Sequence, residues 1–261
     1  MINRILTWLG DSAHWQGDGG ILRRLVEHME YSLGALLIAA LIGIPLGLYI
    51  GHTGRGRFLG VTAVGAARAI PSLGLLYLAF FWLGPRLSGD AAFLAPTGLV
   101  LVVLGIPPIL SGAYAGVEGV DPAARDAAKG MGMRGPEVLR HVELPCALPL
   151  ILSGLRSAML QIIATATIAA VLGLGGLGRF LIDGLAVQDF PQTASGALLV
   201  AALALIVDMV LALVQRLVVS RGLTGRYDKV PPIDSGIRSA TRATPAPTVA
   251  STVAPTVAHS V

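Results

Sequence analysis

Charged side chains are scarce in this sequence. Only 13% of its 261 residues are charged, 54% are hydrophobic, and the mean hydropathy is +0.74. A soluble domain usually carries about 25% charged residues. The shortage of charge therefore argues against an ordinary soluble domain and favours an all-helical protein that crosses a membrane several times.

Cysteine and lysine are nearly absent. The single cysteine, Cys146, excludes an internal disulfide and a metal site of several cysteines, and we expect its small side chain to be buried. The two lysines, Lys129 and Lys229, lie outside any Gly-Lys-Ser/Thr phosphate-binding loop. The five histidines have no metal-ligand spacing, and no catalytic set of side chains recurs. We therefore expect a chain that is not an enzyme and that itself binds no cofactor.

Aromatic residues make up 5% of the chain and are not grouped so as to enclose a cation. Tyr77, Phe80, Phe81 and Trp82 mark one end of a hydrophobic segment, where aromatic side chains commonly lie at the membrane–water interface. The formal charge of +4 arises from basic residues in short loops and not from one continuous stripe. Binding to nucleic acid is therefore not expected.

Five segments are long and apolar enough to cross a bilayer, for which roughly 20 residues are needed. The predicted spans are residues 31–50, 61–83, 93–115, 148–172 and 195–219. Before them, spaced Ile, Leu and Trp residues indicate an arm at the membrane surface, with a short amphipathic helix near residues 21–28; a plain solvated arm is the alternative. After them, a segment rich in Thr, Ala, Pro and Ser predicts a disordered tail.

The loop charges predict the orientation of the chain. Ten basic residues fall on one side of the predicted spans and five on the other. The larger set is Arg55, Arg57, Arg125, Lys129, Arg134, Arg140, Arg216, Arg221, Arg226 and Lys229; the smaller is Arg4, Arg23, Arg24, Arg86 and Arg179. Since the more basic side faces the cytoplasm, the N-terminus is predicted outside and the C-terminus inside. This gives an outer arm (1–30), a membrane domain (31–219) with a cytoplasmic loop at about 118–147, and a cytoplasmic tail (220–261).

Glycine and proline recur inside the predicted spans. Gly43, Gly47 and Gly51 repeat every four residues, a spacing that lets two helix backbones approach closely in lipid. Prolines also occur within the spans, and each frees a backbone carbonyl that a neighbouring helix or a water-filled cavity must satisfy. They include Pro45, Pro71, Pro107 and Pro108. Ordinary helix packing and a functional hinge both account for this pattern.

Four polar side chains lie within the predicted spans and are candidates for the transport pathway or for intramembrane pairs. They are Arg68, Arg156, Gln161 and Asp208. Intramembrane charges are costly and are commonly functional. Arg68 can also extend to the cytoplasmic edge, and Asp208 can either line a pore or pair with a neighbour. Arg156 and Gln161 either face a polar cavity or serve packing.

The cytoplasmic loop contains the most polar stretch, DAAKGMGMRGPEVLRHVELP, at residues 126–145. Asp121 and Pro122 predict a helix start, and Gly130 and Gly132 predict its end near Lys129. A second short helix is predicted from residues 135–136, with Pro145 as its end. Such a surface element suits docking into a groove of a partner, although a simple connecting loop has the same composition.

This stretch resembles the EAA motif of permease subunits in binding-protein-dependent ABC importers. In that motif Glu-Ala-Ala is followed after three residues by Gly, and after nine more by Ile, any residue, Leu and Pro. The matching positions here are Asp126, Ala127, Ala128, Gly132, Val142, Leu144 and Pro145. Asp replaces Glu and Val replaces Ile, while every spacing agrees. AIPSLGLLYL (69–78) and ATIAAVLGLGGLGRFL (166–181) further resemble osmoprotectant permeases for glycine betaine and choline.

The resemblance implies a MetI-like permease in a bacterial plasma membrane. It implies that the EAA loop docks on a separate ATP-binding cassette subunit, which uses the ATP, and that an extracytoplasmic binding protein delivers the substrate. It also implies a second permease subunit, either identical or paralogous. The alternative is a membrane channel or scaffold protein whose cytoplasmic loop binds a regulatory partner. A membrane enzyme comes third, because no catalytic set of residues is present.

Overall fold

The computed structural model describes residues 1–57, 62, 65 and 69–219, and it is built from helices. In chain order these are α1 (Ile2–Gly10), α2 (Ile21–Thr53), α3 (Ser72–Leu83), α4 (Ala91–Glu118), α5 (Pro122–Gly130), α6 (Gly135–Val138), α7 (Leu144–Ala166), α8 (Gly178–Ala186) and α9 (Phe190–Val218). A π-helical turn, Leu139–Glu143, joins α6 to α7, and short 3₁₀ turns occupy Ser12–His14, Gly84–Arg86 and Ile168–Leu172.

Four stretches of the described chain are long and apolar enough to cross a membrane: Ile21–Thr53, Ala91–Glu118, Gly135–Leu172 and Phe190–Val218. They coincide with four of the five predicted spans, so the prediction of a helical protein that crosses the membrane several times is confirmed. The remaining span, 61–83, ends in α3, while most of its first half lies outside the described residues. The count of five spans and the orientation stay predictions, and so does the disordered tail, which also lies outside the described residues.

The first membrane helix is much longer than the 20 residues predicted for it. Helix α2 contains 33 residues, which is about 50 Å at 1.5 Å per residue. It begins after Gly20, which has an extended conformation, and ends at Gly54, which is left-handed with a φ of 67°. The separate amphipathic helix expected at residues 21–28 is therefore wrong, because nothing in the sequence interrupts the helix there. The short helix that is separate from the first span is α1 instead.

Helices α2, α4 and α7 form the core of the membrane domain, and small residues bring them together. A Cβ atom on Gly47 would lie 2.6 Å from the Cβ of Ala113 on α4, and one on Gly51 would lie 2.7 Å from the Cβ of Val117. On the other side of α4, a Cβ on Gly112 would lie 2.5 Å from the carbonyl oxygen of Leu150 on α7. These distances confirm the close helix approach predicted from the glycine repeat.

The prolines within α2 and α4 do not break these helices. Pro45 lies inside the continuous α2, and Pro107 and Pro108 lie inside the continuous α4. Pro71 has a different place, since it is the N-cap of α3. In α4, Pro107 is buried, and Pro107 and Pro108 both line a cleft that is described below. A cavity beside a proline is one of the settings in which freed backbone groups are tolerated within a membrane.

Candidate functional site

The polar stretch begins with α5, whose start is fixed by local chemistry. Asp121 Oδ1 accepts a hydrogen bond of 2.9 Å from the backbone N–H of Ala123, and Pro122 fills the first helical position. This is the predicted helix start, because an N-cap acid and an N1 proline both suit the unpaired N–H groups there. Helix α5 ends at Gly130, one residue beyond the predicted end.

A tight glycine turn follows α5. The N–H of Met133 donates to the carbonyl of Ala128 at 3.1 Å, and the N–H of Gly132 donates to that of Lys129 at 2.9 Å. Gly132 has a φ of 90°, a left-handed conformation that glycine adopts without a steric penalty. Helix α6 then starts where the N–H of Arg134 donates to Glu137 Oε2 at 2.7 Å. The sequence therefore predicted this helix–turn–helix arrangement correctly.

The end predicted for the second short helix at Pro145 is wrong. After α6 the chain continues through the π-helical turn Leu139–Glu143 directly into α7, and Pro145 lies in the first turn of α7. The N–H of Leu144 donates to the carbonyl of Leu139, five residues earlier. A π turn of this kind shifts the backbone pairing by one residue, which accommodates a proline that has no N–H to donate. The polar segment is thus joined rigidly to a membrane helix.

The residues matching the EAA motif do not all face the same way. Asp126 and Ala127 are exposed, and Lys129 Nζ lies 3.7 Å from Asp126 Oδ1. Ala128 is only 1% exposed, because it faces the rest of the polar segment. Val142 and Leu144 are half-buried, whereas Gly132 and Pro145 are exposed. The outward surface of α5 therefore presents an acid, a small residue and a cation.

A cleft of about 460 Å³ opens beside α4 and α7. Ser157 and Gln161 on α7 and Ser72 at the start of α3 supply polar groups to it. The apolar part of the lining is Ile70, Leu104, Pro107 and Pro108. The sequence prediction for Gln161, a polar residue facing a cavity, is consistent with this position. The described lining residues carry no formal charge.

Arg156 points elsewhere, to α9. Its guanidinium makes three contacts with the Asp208 carboxylate, from Nε to Oδ1 at 3.0 Å and from Nη2 to Oδ1 at 2.8 Å and Oδ2 at 2.9 Å. Gln215 completes the group by accepting from Arg156 Nη1 and donating to the carbonyl of Pro149. Of the two roles left open for Asp208, this geometry favours a pair between helices. Arg68, the fourth intramembrane candidate, lies outside the described residues.

Known proteins resemble this chain over most of its length. Residues 43–222 match the family described as binding-protein-dependent transport system inner membrane component. The chain belongs to this family. Membrane location and a transport role, both predicted from the sequence, are thereby confirmed.

Individual relatives agree with the family assignment. The glycine betaine/carnitine/choline transport system permease protein OpuCB of Bacillus subtilis is 34% identical, with 86% of this chain and 98% of that protein covered. The osmoprotectant import permease protein OsmW of Salmonella typhimurium is 32% identical, over 82% of this chain and 99% of that protein. An inward-facing structure of the MetNI methionine ABC transporter has a TM-score of 0.65 at 18% identity, covering 77% of this chain and 96% of that one. The MetI-like fold is therefore confirmed.

Glu143 is not part of the EAA motif, but the structure places it at the centre of a cluster of polar side chains. Glu143 lies between the motif positions Val142 and Leu144, and it is only 2% exposed. His52 at the end of α2 and Arg125 on α5 both contact its carboxylate. The only signal in the sequence is an acid between two apolar residues, and its partner His52 lies 91 residues away. Sequence reasoning therefore did not identify this cluster.

Proposed function

We propose that this permease forms half of the translocation pathway of an ABC importer for an osmoprotectant, and that α5 couples it to a separate ATPase subunit. One observation carries the coupling part of the proposal: a nine-residue helix whose outer face presents Asp126, Ala127 and Lys129 is attached through Arg125 to the end of α4 and to the turn that leads into α7. A rigid helix with a small, charged outer face suits insertion into a groove of a partner.

The roles of the motif residues follow from their positions. Asp126, Ala127 and Lys129 form the outer face that would enter the ATPase groove. Ala128 lets α5 sit close to the π turn, and Gly132 permits the reversal after the helix. Val142, Leu144 and Pro145 would then carry the movement into α7. The pore is proposed to have two conformational states. ATP binding reorients the pathway only to the extent that ATP, through the ATPase, interacts more favourably with one of these states than with the other.

The cleft between α4 and α7 is the proposed half of the pathway. Its described lining offers hydroxyl and amide groups from Ser72, Ser157 and Gln161 among apolar side chains. Such groups solvate a polar solute weakly, which suits passage better than tight retention. Tyr77, Phe81 and Trp82 are each at least 40% exposed and do not line this cleft. Selection of the substrate is therefore assigned mainly to a delivery protein.

The substrate class is inferred from the relatives, whose names include glycine betaine, carnitine and choline. All three compounds carry a quaternary ammonium group. The proposed partners are an ATP-binding cassette ATPase, an extracytoplasmic binding protein and a second permease subunit, the same or paralogous. A closed two-fold pore made of two identical chains is the simplest arrangement.

Co-purification tests the partners. The tagged chain is extracted from its native membrane, and the accompanying proteins are identified by mass spectrometry. An ATP-binding subunit is expected, and the presence or absence of a second permease defines the pore. Recovery of the chain alone, or with a partner that is not an ATPase, would favour the channel or scaffold alternative.

Uptake measurements test the substrate. Cells lacking the gene for this chain, with and without a plasmid copy, are given radiolabelled glycine betaine, choline or carnitine. Plasmid-dependent uptake of at least one of these is expected. Methionine serves as the control compound because the structural neighbour transports it. Plasmid-dependent uptake of methionine alone would contradict the proposed substrate class.

A further inference from the structure

The carboxylate of Glu143 joins parts of the chain that are far apart in sequence. Its Oε2 accepts a hydrogen bond of 2.6 Å from His52 Nδ1, at the cytoplasmic end of α2. Its Oε1 lies 3.0 Å from Arg125 Nε on α5, in an ion pair whose angle is not that of a directed hydrogen bond. Glu143 itself ends the π turn that leads into α7.

Arg125 extends the connection to a fourth element. Its terminal nitrogen Nη2 donates to the carbonyl oxygen of Val117, in the last turn of α4. Gly135, the first residue of α6, also packs near the His52 ring, since a Cβ there would lie 3.4 Å from Nε2. A group of three side chains, centred on the buried Glu143, therefore holds the ends of α2 and α4, the helix α5 and the start of α7 against one another.

The burial of Glu143 makes the three side chains interdependent. The Glu143 side chain is 3% exposed, whereas those of Arg125 and His52 are 23% and 25% exposed. A carboxylate removed from water in this way is costly unless both oxygens are paired. A displacement of α5 that carried Arg125 away would leave Oε1 of Glu143 without a partner, and a displacement of α2 that carried His52 away would leave Oε2 without one. The group therefore resists independent movement of these elements.

The location of Arg125 connects the Glu143 group with the proposed coupling function. Arg125 directly precedes Asp126, the first residue of the outward face of α5. Helices α4 and α7, which the group fastens to α5, also supply Pro107, Pro108, Ser157 and Gln161 to the cleft. A force that a docked partner exerts on α5 is therefore transmitted through the Glu143 carboxylate to the helices that line the cleft.

We propose that Glu143 is a positioning residue that makes the coupling segment and the cytoplasmic ends of α2, α4 and α7 move as one body. The inference rests on the proposed function, in which an ATPase moves α5. Without the shared carboxylate, α5 follows the ATPase while the core helices do not. The consequence is ATP hydrolysis that no longer drives transport.

The test compares Glu143→Gln with Glu118→Gln, in the complex with the ATPase that co-purifies with the wild-type chain. Glu118 is a matched control, because it ends α4 on the same side and makes an exposed ion pair of 2.9 Å with Arg57. Membrane content, bound ATPase, ATP hydrolysis and uptake of choline or glycine betaine are measured for each. We expect Glu143→Gln to keep its ATPase and its hydrolysis but to lower transport per ATP by about tenfold, as interruption of a coupling network can do. Glu118→Gln should match the wild type.

A second pair of variants guards against failure of Glu143→Gln to fold. His52→Asn keeps an N–H donor near the position of Nδ1, whereas His52→Leu removes it. We expect His52→Asn to retain most of the transport per ATP and His52→Leu to lose it, with equal amounts of both in the membrane. Unchanged transport per ATP in both Glu143→Gln and His52→Leu would overturn the inference, and so would equal loss in the two His52 variants. Absence of any ATPase in the wild-type complex would instead overturn the proposed function.

Discussion

Arg156 and Asp208 are the charged pair that most directly links two membrane helices. Both side chains are about one third exposed on this chain, so their pairing is intermediate between a surface and a buried ion pair. Removal of either one leaves the other without a counter-charge in the membrane. We expect Asp208→Asn or Arg156→Met to lower the free energy of unfolding by about 2 kcal/mol. Thermal unfolding of the purified chain in detergent measures this.

A double variant distinguishes the loss of the ion pair from independent effects of the two side chains. In Arg156→Met with Asp208→Asn no charge is left alone, so its stability should lie closer to the wild type than that of either single variant. Additive losses would mean that the two side chains act independently. Gln215 remains in all three variants and continues to donate to the Pro149 carbonyl.

Individual residues show where sequence reasoning stops. The cap at Asp121 was predictable, because it depends on neighbours two residues away. Cys146 was expected to be buried, and this is wrong, because the residue falls on an exposed side of the first turn of α7. The Glu143–His52 contact joins residues 91 positions apart, and no local pattern encodes it. Contacts within a few residues follow from the sequence, whereas contacts between helices require the fold.

Substitution of Gly47 tests the close packing of α2 against α4. We expect Gly47→Ala to destabilise the chain by about 1–3 kcal/mol, because the new methyl group would overlap Ala113 and the Leu110 carbonyl on α4. Gly34→Ala is the control on the same helix, since nothing lies within 4 Å of a Cβ there. Thermal unfolding should show the loss for Gly47→Ala only. Equal stability of both variants would mean that α2 and α4 can separate without cost.

The turn after α5 provides a prediction about coupling. We expect Gly132→Val to weaken ATPase binding and abolish uptake while leaving the chain in the membrane, because the left-handed backbone costs a side-chain-bearing residue about 1–2 kcal/mol and distorts the turn. Gly130→Ala is the control, since Gly130 is helical and open space surrounds it. Co-purified ATPase and uptake are measured for both. Normal uptake in Gly132→Val would contradict the assignment of α5 as the coupling helix.

A charge reversal tests the outer face of α5 itself. Asp126 is exposed, and its one ion pair among the described residues is with Lys129 at 3.7 Å, so Asp126→Lys should leave the fold intact. We expect it to reduce ATPase binding and uptake through repulsion at the contact with the partner. Asp121→Asn, which keeps a helix cap, is the comparison. If uptake with Asp126→Lys were equal to that of the wild type, this face would not be the one that docks.

Helices were easier to predict than their ends. The apolar segments and the glycine repeat located α2, α4, α7 and α9, because length and side-chain size determine what fits a bilayer. The polar first turns of α2 were predicted as a separate short helix, since they precede the apolar stretch, and their continuity with the membrane helix was missed. The passage of Pro145 into α7 was missed because a π turn leaves no clear signature in the sequence.

At the scale of the whole molecule, the tail gives the simplest prediction. The family match ends at residue 222, and the sequence after it is rich in Thr, Ala, Pro and Ser. We expect a chain that ends after residue 224 to support uptake within about twofold of the full-length chain, because such a segment adds no packed surface. Uptake and membrane content are compared in the same cells. A complete loss of uptake with normal membrane content would assign the tail a role in transport.

Both ends of α2 are attached to residues that flank α7. Near its start, Glu27 Oε2 accepts from the N–H of Gly176 at 2.9 Å, in the loop that follows α7. Near its end, His52 contacts Glu143, which precedes α7. Insertion or deletion of one residue between these points would rotate one attachment by about 100° relative to the other. Evolution of this protein should therefore tolerate changes of length in its loops and reject them between residues 28 and 52.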